Sequence, residues 1–512
     1  MRDVAFKKYP AAKDTPGVPF VFNKARAAPI LALDIPGADP SVRHERVSAS
    51  ASEVVYRAVI RDANGAPLVE VTRRYSLTTA GADDPRDGKN DPYRIRHETT
   101  FRNLSAQPQH AFPSLNIGTT ALLSTGDSGQ FLNIAHFDGD KPRIINRGDL
   151  EGGGFMTLFG AHNPPKAFVE AAGSIEWGAA KNQFFAAIYT PDQPAAAIVA
   201  RRISLPPLVP GSLQENIGMT ASLRLNPVAI PSGENAAVTL GGYLYAGPKE
   251  YVRLAKFPKA EDKVMEFDSS FYNRVTLSGY IAPVMSMLMV WMHGFTDNWG
   301  LAVVCMTLLL KFICVPFTLA ASRSAKRMQK LQPAMKELRE KYKDAPQKLN
   351  QATMQLFKDN KVNPLGGCLP VFITIPLFIA FFWMLQGTAE LRFQSFLWNH
   401  DLSAPDTVFR LWGIPLNIMP LLMGATMIIQ MRLTPQPSVD NAQARIFKWM
   451  PVFFTFICYN FSAALALYST VNGLFTIGQQ LVVNKLTRDE PANLSHVPGH
   501  GKPARPSKKH RR

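Results

Sequence analysis

An apolar stretch from Trp299 to Ala321, WGLAVVCMTLLLKFICVPFTLAA, sets the strongest limit on the fold of this chain. A helix rises about 1.5 Å per residue, so about 20 apolar residues cross a hydrocarbon core of about 30 Å. The stretch contains one charge, Lys311, near its middle. A charge at that depth costs at least ~2.5 kcal/mol and usually faces a polar cavity. Thr307, four residues earlier, shares its helix face. The alternative is that Lys311 extends its ammonium toward lipid headgroups.

Most of the net positive charge lies in the second half of the chain. Residues 1–275 contain 31 Lys and Arg against 28 Asp and Glu, whereas the remainder has 25 against 11, which is +14 of the total +17. These basic residues flank long apolar runs, a pattern typical of cytoplasmic membrane loops rather than of nucleic-acid binding. All four cysteines lie in the apolar runs: Cys305, Cys314, Cys368 and Cys458. The first half therefore has neither a disulfide framework nor a cysteine zinc site.

The first half of the chain has the pattern of antiparallel strands. From Val18 to Tyr245, short alternating runs are separated by turn residues, and the pair Asn64-Gly65 predicts a hairpin. We expect a large all-β sandwich. Its His, Asp and Glu residues are scattered, without an HExxH, G-x-S-x-G or Gly-rich phosphate motif. A binding or scaffolding domain is favoured over an enzyme.

A polar stretch that begins at Gly247 predicts a helical connector after the sandwich. The uncharged stretch from Val275 to Thr296 follows it, with Pro283 near its start. This stretch is either an amphipathic helix on the outer leaflet or a span in its own right, and we favour the interfacial alternative.

Three more apolar regions follow the lysine-bearing stretch: Cys368–Leu385, Ile414–Met431 and Trp449–Asn484. The last of these has no charge over 36 residues, far more than one crossing needs. The sequence NFSA at Asn460–Ala463 supplies a turn near its middle. The sequence therefore predicts five spans in all.

The charges between the apolar regions predict an orientation. Segments 322–367, 432–448 and 485–512 hold 22 Lys and Arg, whereas 386–413 holds two, Arg392 and Arg410. The positive-inside rule places the three basic segments in the cytoplasm, and an odd number of spans leaves the β domain outside.

The first basic segment also has helical periodicity. Its apolar residues recur at helical spacing and its prolines punctuate it, so we expect a cytoplasmic helical hairpin over 322–362. The recurring residues are Met328, Leu331, Met335, Leu338 and Tyr342.

Several motifs together resemble the YidC insertases of the Oxa/Alb/YidC superfamily. They are NPLGGCLPVFITIPLFIAFFWML from Asn363, NWG from Asn298, AELR from Ala389, and LALYSTVNGLFTIGQQ from Leu465. The resemblance covers roughly residues 245 to 486. Its signature residues are Asn363, Pro364, Gly366, Gly367, Pro370 and Pro376.

The resemblance implies a polytopic α-helical membrane protein with a five-helix insertase core, preceded by an all-β sandwich of the galactose-mutarotase-like supersandwich type. Four parts are expected. They are a periplasmic β-sandwich domain (1–250), a connector with an interfacial helix (251–298), the five-span core with its cytoplasmic hairpin (299–486), and a basic cytoplasmic tail (487–512).

The resemblance further implies a hydrophilic groove that receives nascent membrane proteins and releases them sideways into lipid. Its expected residues are Lys311, Thr307, Gln430, Ser469 and Asn472. The family usually has arginine where this chain has Lys311, and lysine lacks the bidentate fork of a guanidinium. Expected partners are nascent chains, the ribosome, the Sec translocon and the lipid bilayer of a bacterial inner membrane. No catalytic residue, metal or cofactor is expected.

Two other functions compete with an insertase. A transporter or channel is disfavoured because the spans show no internal repeat and contain only one charge. An enzyme is disfavoured because the spans contain no His, Asp or Glu at depth. One departure from the family stands out: the opening residues lack the apolar core of a signal anchor. The chain is then truncated or engineered, its start is misassigned, or the stretch before Trp299 spans and the β domain stays inside.

Overall fold

The computed structural model of this 512-residue chain describes most of its residues. They are 1, 4–11, 17–24, 28–36, 42–62, 64–77, 91–122, 129–152, 164–207, 216–233, 236–268, 271–360, 362, 369–433 and 441–486. The chain divides into two compact units. The first is Met1–Met287 with Gln386–Arg392, and the second is Leu288–Leu385 with Phe393–Arg512.

The described part of the first unit is built almost entirely of strands. They are β1 (Val4–Pro10), β2 (Pro19–Phe22), β3 (Leu33–Asp34), β4 (Glu45–Ala49), β5 (Glu53–Arg61), β6 (Pro67–Leu77), β7 (Arg94–Asn103), β8 (Gln109–Ala111), β9 (Ser114–Thr120), β10 (Asn133–Phe137), β11 (Pro142–Asn146), β12 (Phe168–Ile175), β13 (Trp177–Lys181), β14 (Phe185–Pro191), β15 (Ala195–Leu205), β16 (Asn216–Arg224), β17 (Val228–Ile230) and β18 (Ala237–Pro248). A short helix α1 (Arg147–Glu151) follows β11.

These strands form two large antiparallel sheets. The nine-stranded sheet has the order β11-β10-β13-β14-β18-β7-β6-β5-β4, and the five-stranded sheet has the order β12-β15-β16-β9-β3. Two smaller pairs, β1-β2 and β17-β8, complete the described strands of this unit. The prediction of an all-β sandwich is confirmed.

The two sheets are in close contact at Gly178 in β13. A Cβ atom at this position would lie 2.8 Å from the Cδ1 atoms of Ile117 and Ile198 and 3.2 Å from that of Leu223. Those three side chains belong to β9, β15 and β16 of the other sheet, and all three are fully or almost fully buried. Glycine is therefore needed here, because a side chain would occupy the space that the facing sheet fills.

The predicted hairpin at Asn64-Gly65 is present between β5 and β6. The two strands pair antiparallel from Glu53 opposite Ser76 onward. The turn uses Gly65 at φ +84°, a left-handed conformation that glycine adopts at little cost. The Asp62 carboxylate accepts backbone hydrogen bonds from Asn64 (2.9 Å) and Ala66 (2.7 Å), which fixes the turn.

The polar stretch after β18 folds onto the β unit. It forms α2 (Tyr251–Leu254), a 3₁₀ turn (Glu261–Met265) and α3 (Phe271–Val275). Leu254 and Val264 are fully buried. Glu266 forms an ion pair with Lys181 of β13, and both side chains are largely buried. Most of the predicted connector is therefore packed within the first unit.

The remaining elements are mainly helices. They are α4 (Ser278–Thr296), α5 (Trp299–Lys330), α6 (Gln332–Lys341), α7 (Pro346–Asp359), α8 (Leu369–Gly387), β19 (Thr407–Leu411), β20 (Ile414–Asn417), α9 (Ile418–Leu433), α10 (Asn441–Cys458) and α11 (Ala463–Leu486). Among the described residues, α5 is the one helix that is both long and apolar enough to cross a membrane. Shorter apolar helical stretches lie at Thr374–Gly387, Ile418–Leu433 and Trp449–Cys458.

The helix boundaries confirm one sequence prediction and correct another. The long run from Trp449 is broken between Cys458 and Ala463, where the turn was predicted. The predicted helical start at Ile414 is wrong, because Ile414–Asn417 is strand β20, paired with β19. Trp412 and Gly413 form the two-residue turn between them, with φ of +50° and +84°. Positive φ at both turn positions is the geometry of a tight hairpin.

The segment predicted as a helical hairpin contains α6 and α7, which pack through buried Leu338 and Leu356. Met335 and Tyr342 contribute to the same cluster. The helix α5 extends to Lys330, so the first residues of the predicted hairpin continue the lysine-bearing helix.

Candidate functional site

The helix α5 presents Lys311 toward neighbouring helices of the second unit. Asn298 caps the start of α5 by accepting a hydrogen bond from the Leu301 amide at 3.0 Å. Gly300 lies against Phe396, since a Cβ there would be 2.2 Å from the ring. These contacts give physical roles to the asparagine and the glycine of the NWG motif.

Aromatic contacts place α11 beside both α5 and α8. The rings of Phe312 and Phe475 meet edge to face with centroids 5.3 Å apart. Those of Phe381 and Tyr468 stack at 3.9 Å. Side chains of these three helices therefore converge on one region of the unit.

A small recess lies where α5, α8 and α11 converge. Its volume is about 30 Å³, which is enough to hold water. Six of its ten lining side chains carry a hydroxyl, amide or ammonium group. The lining residues are Thr307, Leu310, Lys311, Cys314, Thr318, Thr374, Leu377, Phe381, Tyr468 and Asn472.

Lys311 makes one hydrogen bond and no ion pair within the described part of the chain. Its Nζ donates to Thr476 Oγ1 at 3.0 Å, and Thr476 Oγ1 donates to the Asn472 carbonyl at 2.8 Å. Thr307 is 1% exposed and donates to the Val303 carbonyl at 2.6 Å. Because an ammonium has three protons to donate, Lys311 retains donors for a further acceptor.

Polar contacts between α5 and α11 continue beyond the recess, through residues that were not predicted from the sequence. Gln479 of α11 donates to Thr318 of α5 at 2.7 Å. Thr318 follows Lys311 by seven residues, and Thr476 and Gln479 follow Asn472 by four and seven. This helical spacing was readable in the sequence, but it could not show that the two polar stripes face each other.

The structure brings together three of the five predicted groove residues: Lys311, Thr307 and Asn472. Ser469 lies on α11 and is 9% exposed, and its Oγ has no hydrogen-bond partner among the residues described. Gln430 is half-buried on α9. Neither of these two lines the recess.

The signature residues are only partly described. Asn363, Pro364, Gly366 and Gly367 lie outside the described residues. Pro370 and Pro376 are in α8, the first near its start and the second in its interior. Interior proline is tolerated in membrane helices because neighbouring groups satisfy the freed carbonyl.

The chain matches known membrane proteins in sequence. A family described as 60Kd inner membrane protein matches residues 291–490, which contain α5 and the recess. Together with this match, an all-β unit followed by a helical unit that contains a helix able to cross a membrane indicates an α-helical membrane protein with a large β domain. A membrane protein insertase YidC of Cupriavidus taiwanensis is 35% identical over 417 residues, covering 78% of this chain and 67% of the relative. The chain belongs to the YidC family of membrane protein insertases.

Other matches show how much of the relatives the chain covers. The YidC insertase of Pelodictyon phaeoclathratiforme is 33% identical over 344 residues, covering 66% of this chain and 56% of the relative. The chain spans 56% to 64% of the length of the first four relatives. A crystal structure described as an active YidC insertase with its first transmembrane domain resolved aligns over 88% of this chain and 94% of that one, at 16% identity and a TM-score of 0.31.

Proposed function

We propose that this protein is a membrane protein insertase that receives nascent membrane proteins at the Lys311 recess and passes them sideways into the lipid bilayer. Membership of the YidC family supports this proposal. The observation that carries it is a lysine in the middle of an apolar helix, facing a polar recess without a carboxylate partner among the described residues.

We propose that α5, α8, α9, α10 and α11 are the five membrane spans, with the β domain in the periplasm and the basic tail in the cytoplasm. The three segments assigned to the cytoplasm hold 22 Lys and Arg, and segment 386–413, assigned to the outside, holds two. This asymmetry supports the orientation. The proposed parts are 1–250, 251–298, 299–486 and 487–512, with the hairpin 322–362 in the cytoplasm.

A polar recess within the membrane lowers the barrier to moving a polar flank across it. Each unsatisfied polar group costs several kcal/mol in hydrocarbon. A recess that holds water and a positive charge offers hydrogen bonds part of the way across. Lys311 attracts acidic residues of the translocated flank, while apolar residues of the client partition into lipid. The proposed mechanism requires no covalent step and no cofactor.

The proposed partners are the ribosome and the Sec translocon, in addition to the client and the lipid. The tail from Gly501 to Arg512 holds six Lys and Arg without an acidic residue, which suits binding to rRNA phosphates. Its structure lies outside the described residues.

Substitution of Lys311 tests the charge mechanism. Lys311→Arg should preserve insertion, and Lys311→Ala should reduce insertion of clients with acidic translocated segments by about tenfold, the effect of about 1.4 kcal/mol. Lys311→Gln should reduce the insertion of acidic clients more than that of neutral clients, because it keeps the recess polar and removes the charge. The measurement is insertion of matched acidic and neutral clients into proteoliposomes that contain each variant.

Lys330→Gln is the matched control, since it makes the same change at the exposed end of the same helix. It should insert both clients as the wild type does. Equal yields for every Lys311 variant with both clients would refute the charge mechanism, and failure of the wild type to insert either client would refute the proposed function.

A further inference from the structure

The first unit contains a cavity that the proposed insertase function does not use. Its volume is about 770 Å³, within the range of sites that hold small organic ligands. Its walls come from β5, β6, β7, the segment 29–33, the turn at Ser50–Ser52, and Met1, Val42 and His44. Much of the lining is apolar or aromatic, including Ile30, Leu33, Val54, Tyr56, Tyr75 and Ile95.

A buried arginine, Arg73 of β6, also lines this cavity. It is 6% exposed. Both of its hydrogen bonds leave from Nη2, one to the Leu31 carbonyl at 2.5 Å and one to His97 Nε2 at 3.0 Å. Its Nε is buried without a partner, and its Nη1 donates to no described residue.

Among the described residues, the neighbours of Arg73 provide no negative charge. An arginine can only donate, so His97 must accept at Nε2, and its Nδ1 then carries the proton and donates to the Tyr189 hydroxyl at 3.1 Å. His97 is therefore neutral, and burial together with the Arg73 charge lowers its pKa well below the usual value. The Tyr75 ring lies 5.4 Å from the guanidinium carbon.

The other described ionisable side chains of the cavity leave this charge uncompensated. His44 lines the cavity, and burial and Arg73 lower its pKa, so its neutral form is favoured. The Glu53 carboxylate is 3.7 Å from Arg74 Nε and its side chain is 39% exposed. No described carboxylate lies within 4.0 Å of Arg73. A buried cation without a counter-charge is costly, so the site is suited to an anion from outside the chain.

We propose that this cavity binds a small organic carboxylate with an apolar or aromatic body, and that Arg73 pairs with the carboxylate. The guanidinium supplies the charge and the free N–H donors, and planar pairing of this kind is among the stronger hydrogen-bonding arrangements in proteins. The apolar walls hold the body of the ligand. Glu53, a partly exposed carboxylate of the lining, disfavours a second negative charge, so monocarboxylates are preferred.

The test compares two probes that differ in charge at almost constant shape, 3-phenylpropionate and 3-phenylpropanamide. The full chain is reconstituted in nanodiscs of neutral lipid, and binding is measured by ligand-observed NMR titration. The carboxylate should bind at least about tenfold more tightly than the amide, since hydrogen bonds to charged groups are the stronger ones. Only the carboxylate should raise the unfolding temperature.

Two variants locate the binding. Arg73→Gln should weaken carboxylate binding at least about tenfold and leave the amide unchanged. Arg102→Gln, the same change at an exposed side chain of β7 that does not line the cavity, should bind like the wild type. If Arg73→Gln does not fold, the comparison of the two probes on wild-type protein and on Arg102→Gln decides.

Three results would overturn the proposal. The first is equal affinity of the wild type for both probes. The second is no binding of the carboxylate up to ~10 mM, a free energy weaker than about −3 kcal/mol, which would leave the cavity holding water alone. The third is undiminished binding by folded Arg73→Gln. None of these results bears on insertion, because the Lys311 experiment uses a different unit and a different readout.

Discussion

Glu390, in the AELR motif, shows how one residue acquires a special environment. It belongs to the first unit, where it accepts a hydrogen bond from the Thr388 hydroxyl. Burial, followed by the nearby charge of Glu250, raises the pKa of Glu390 to about 7. Arg392 of the same motif donates to the Pro10 carbonyl at 2.9 Å and the Ala11 carbonyl at 3.1 Å. The motif therefore ties its segment to the β unit.

The raised pKa of Glu390 predicts a pH dependence of stability. The ordinary pKa is 4.5, so between about pH 4.5 and 7 the folded state binds more protons than the unfolded state. The free energy of unfolding contributed by this group should fall as the pH rises through that window. Glu390→Gln should remove this loss. From pH 5 to pH 8, the free energy of unfolding of the variant should therefore fall by about 1 to 3 kcal/mol less than that of the wild type. Thermal unfolding of the full chain at pH 5, 6, 7 and 8 measures this difference.

Glu337→Gln provides the control, because Glu337 is exposed on α6. Its stability profile should follow that of the wild type. A Glu390→Gln profile parallel to the wild type over the whole range would show that Glu390 does not titrate in this window.

At the scale of the elements, the hairpin β19-β20 carries a group of exposed apolar side chains. Val408, Phe409, Leu411 and Ile414 are each about half or more exposed, and Trp412 at the turn is 92% exposed. The hairpin leads directly into α9, one of the proposed spans. An exposed aromatic beside the end of a span suits the membrane interface, where tryptophan is enriched.

We therefore expect Trp412 to lie at the level of the lipid headgroups in reconstituted protein. Lipids brominated near the headgroup should quench its fluorescence more than lipids brominated near the chain ends. The measurement is the difference in quenching between wild type and Trp412→Phe in vesicles. Identical quenching of the two proteins by every lipid would place the turn away from the membrane.

At the scale of the whole molecule, the proposed orientation is open to cysteine labelling. Ser403, in the segment assigned outside, is a poor reporter because it is 9% exposed and donates to Asp401 at 2.7 Å. Val408 is 49% exposed and lies in the same outside segment. In a background without the four natural cysteines, Val408→Cys should react with a membrane-impermeant reagent in intact cells. Gln347→Cys, on exposed α7, should react only after the membrane is opened.

The control for this experiment is permeabilised cells, in which both positions should react. If Gln347→Cys were labelled and Val408→Cys were protected in intact cells, the orientation would be the opposite of the proposed one.

The sequence by itself determined the β character of the first unit, the apolar stretches and the family. Alternation, helical periodicity and charge asymmetry are local or additive properties, so they are readable without coordinates. It also determined that Lys311 and Thr307 share one helix face.

Only the tertiary structure decided which residues from distant parts of the chain meet. Thr476 contacts Lys311 from 165 residues away, and His97 meets Arg73 across neighbouring strands. The hairpin at Trp412 was missed because its turn pair is not among the common ones and the apolar run continues through it. Whether a buried charge finds a partner depends on packing between elements, and local sequence patterns do not specify that packing.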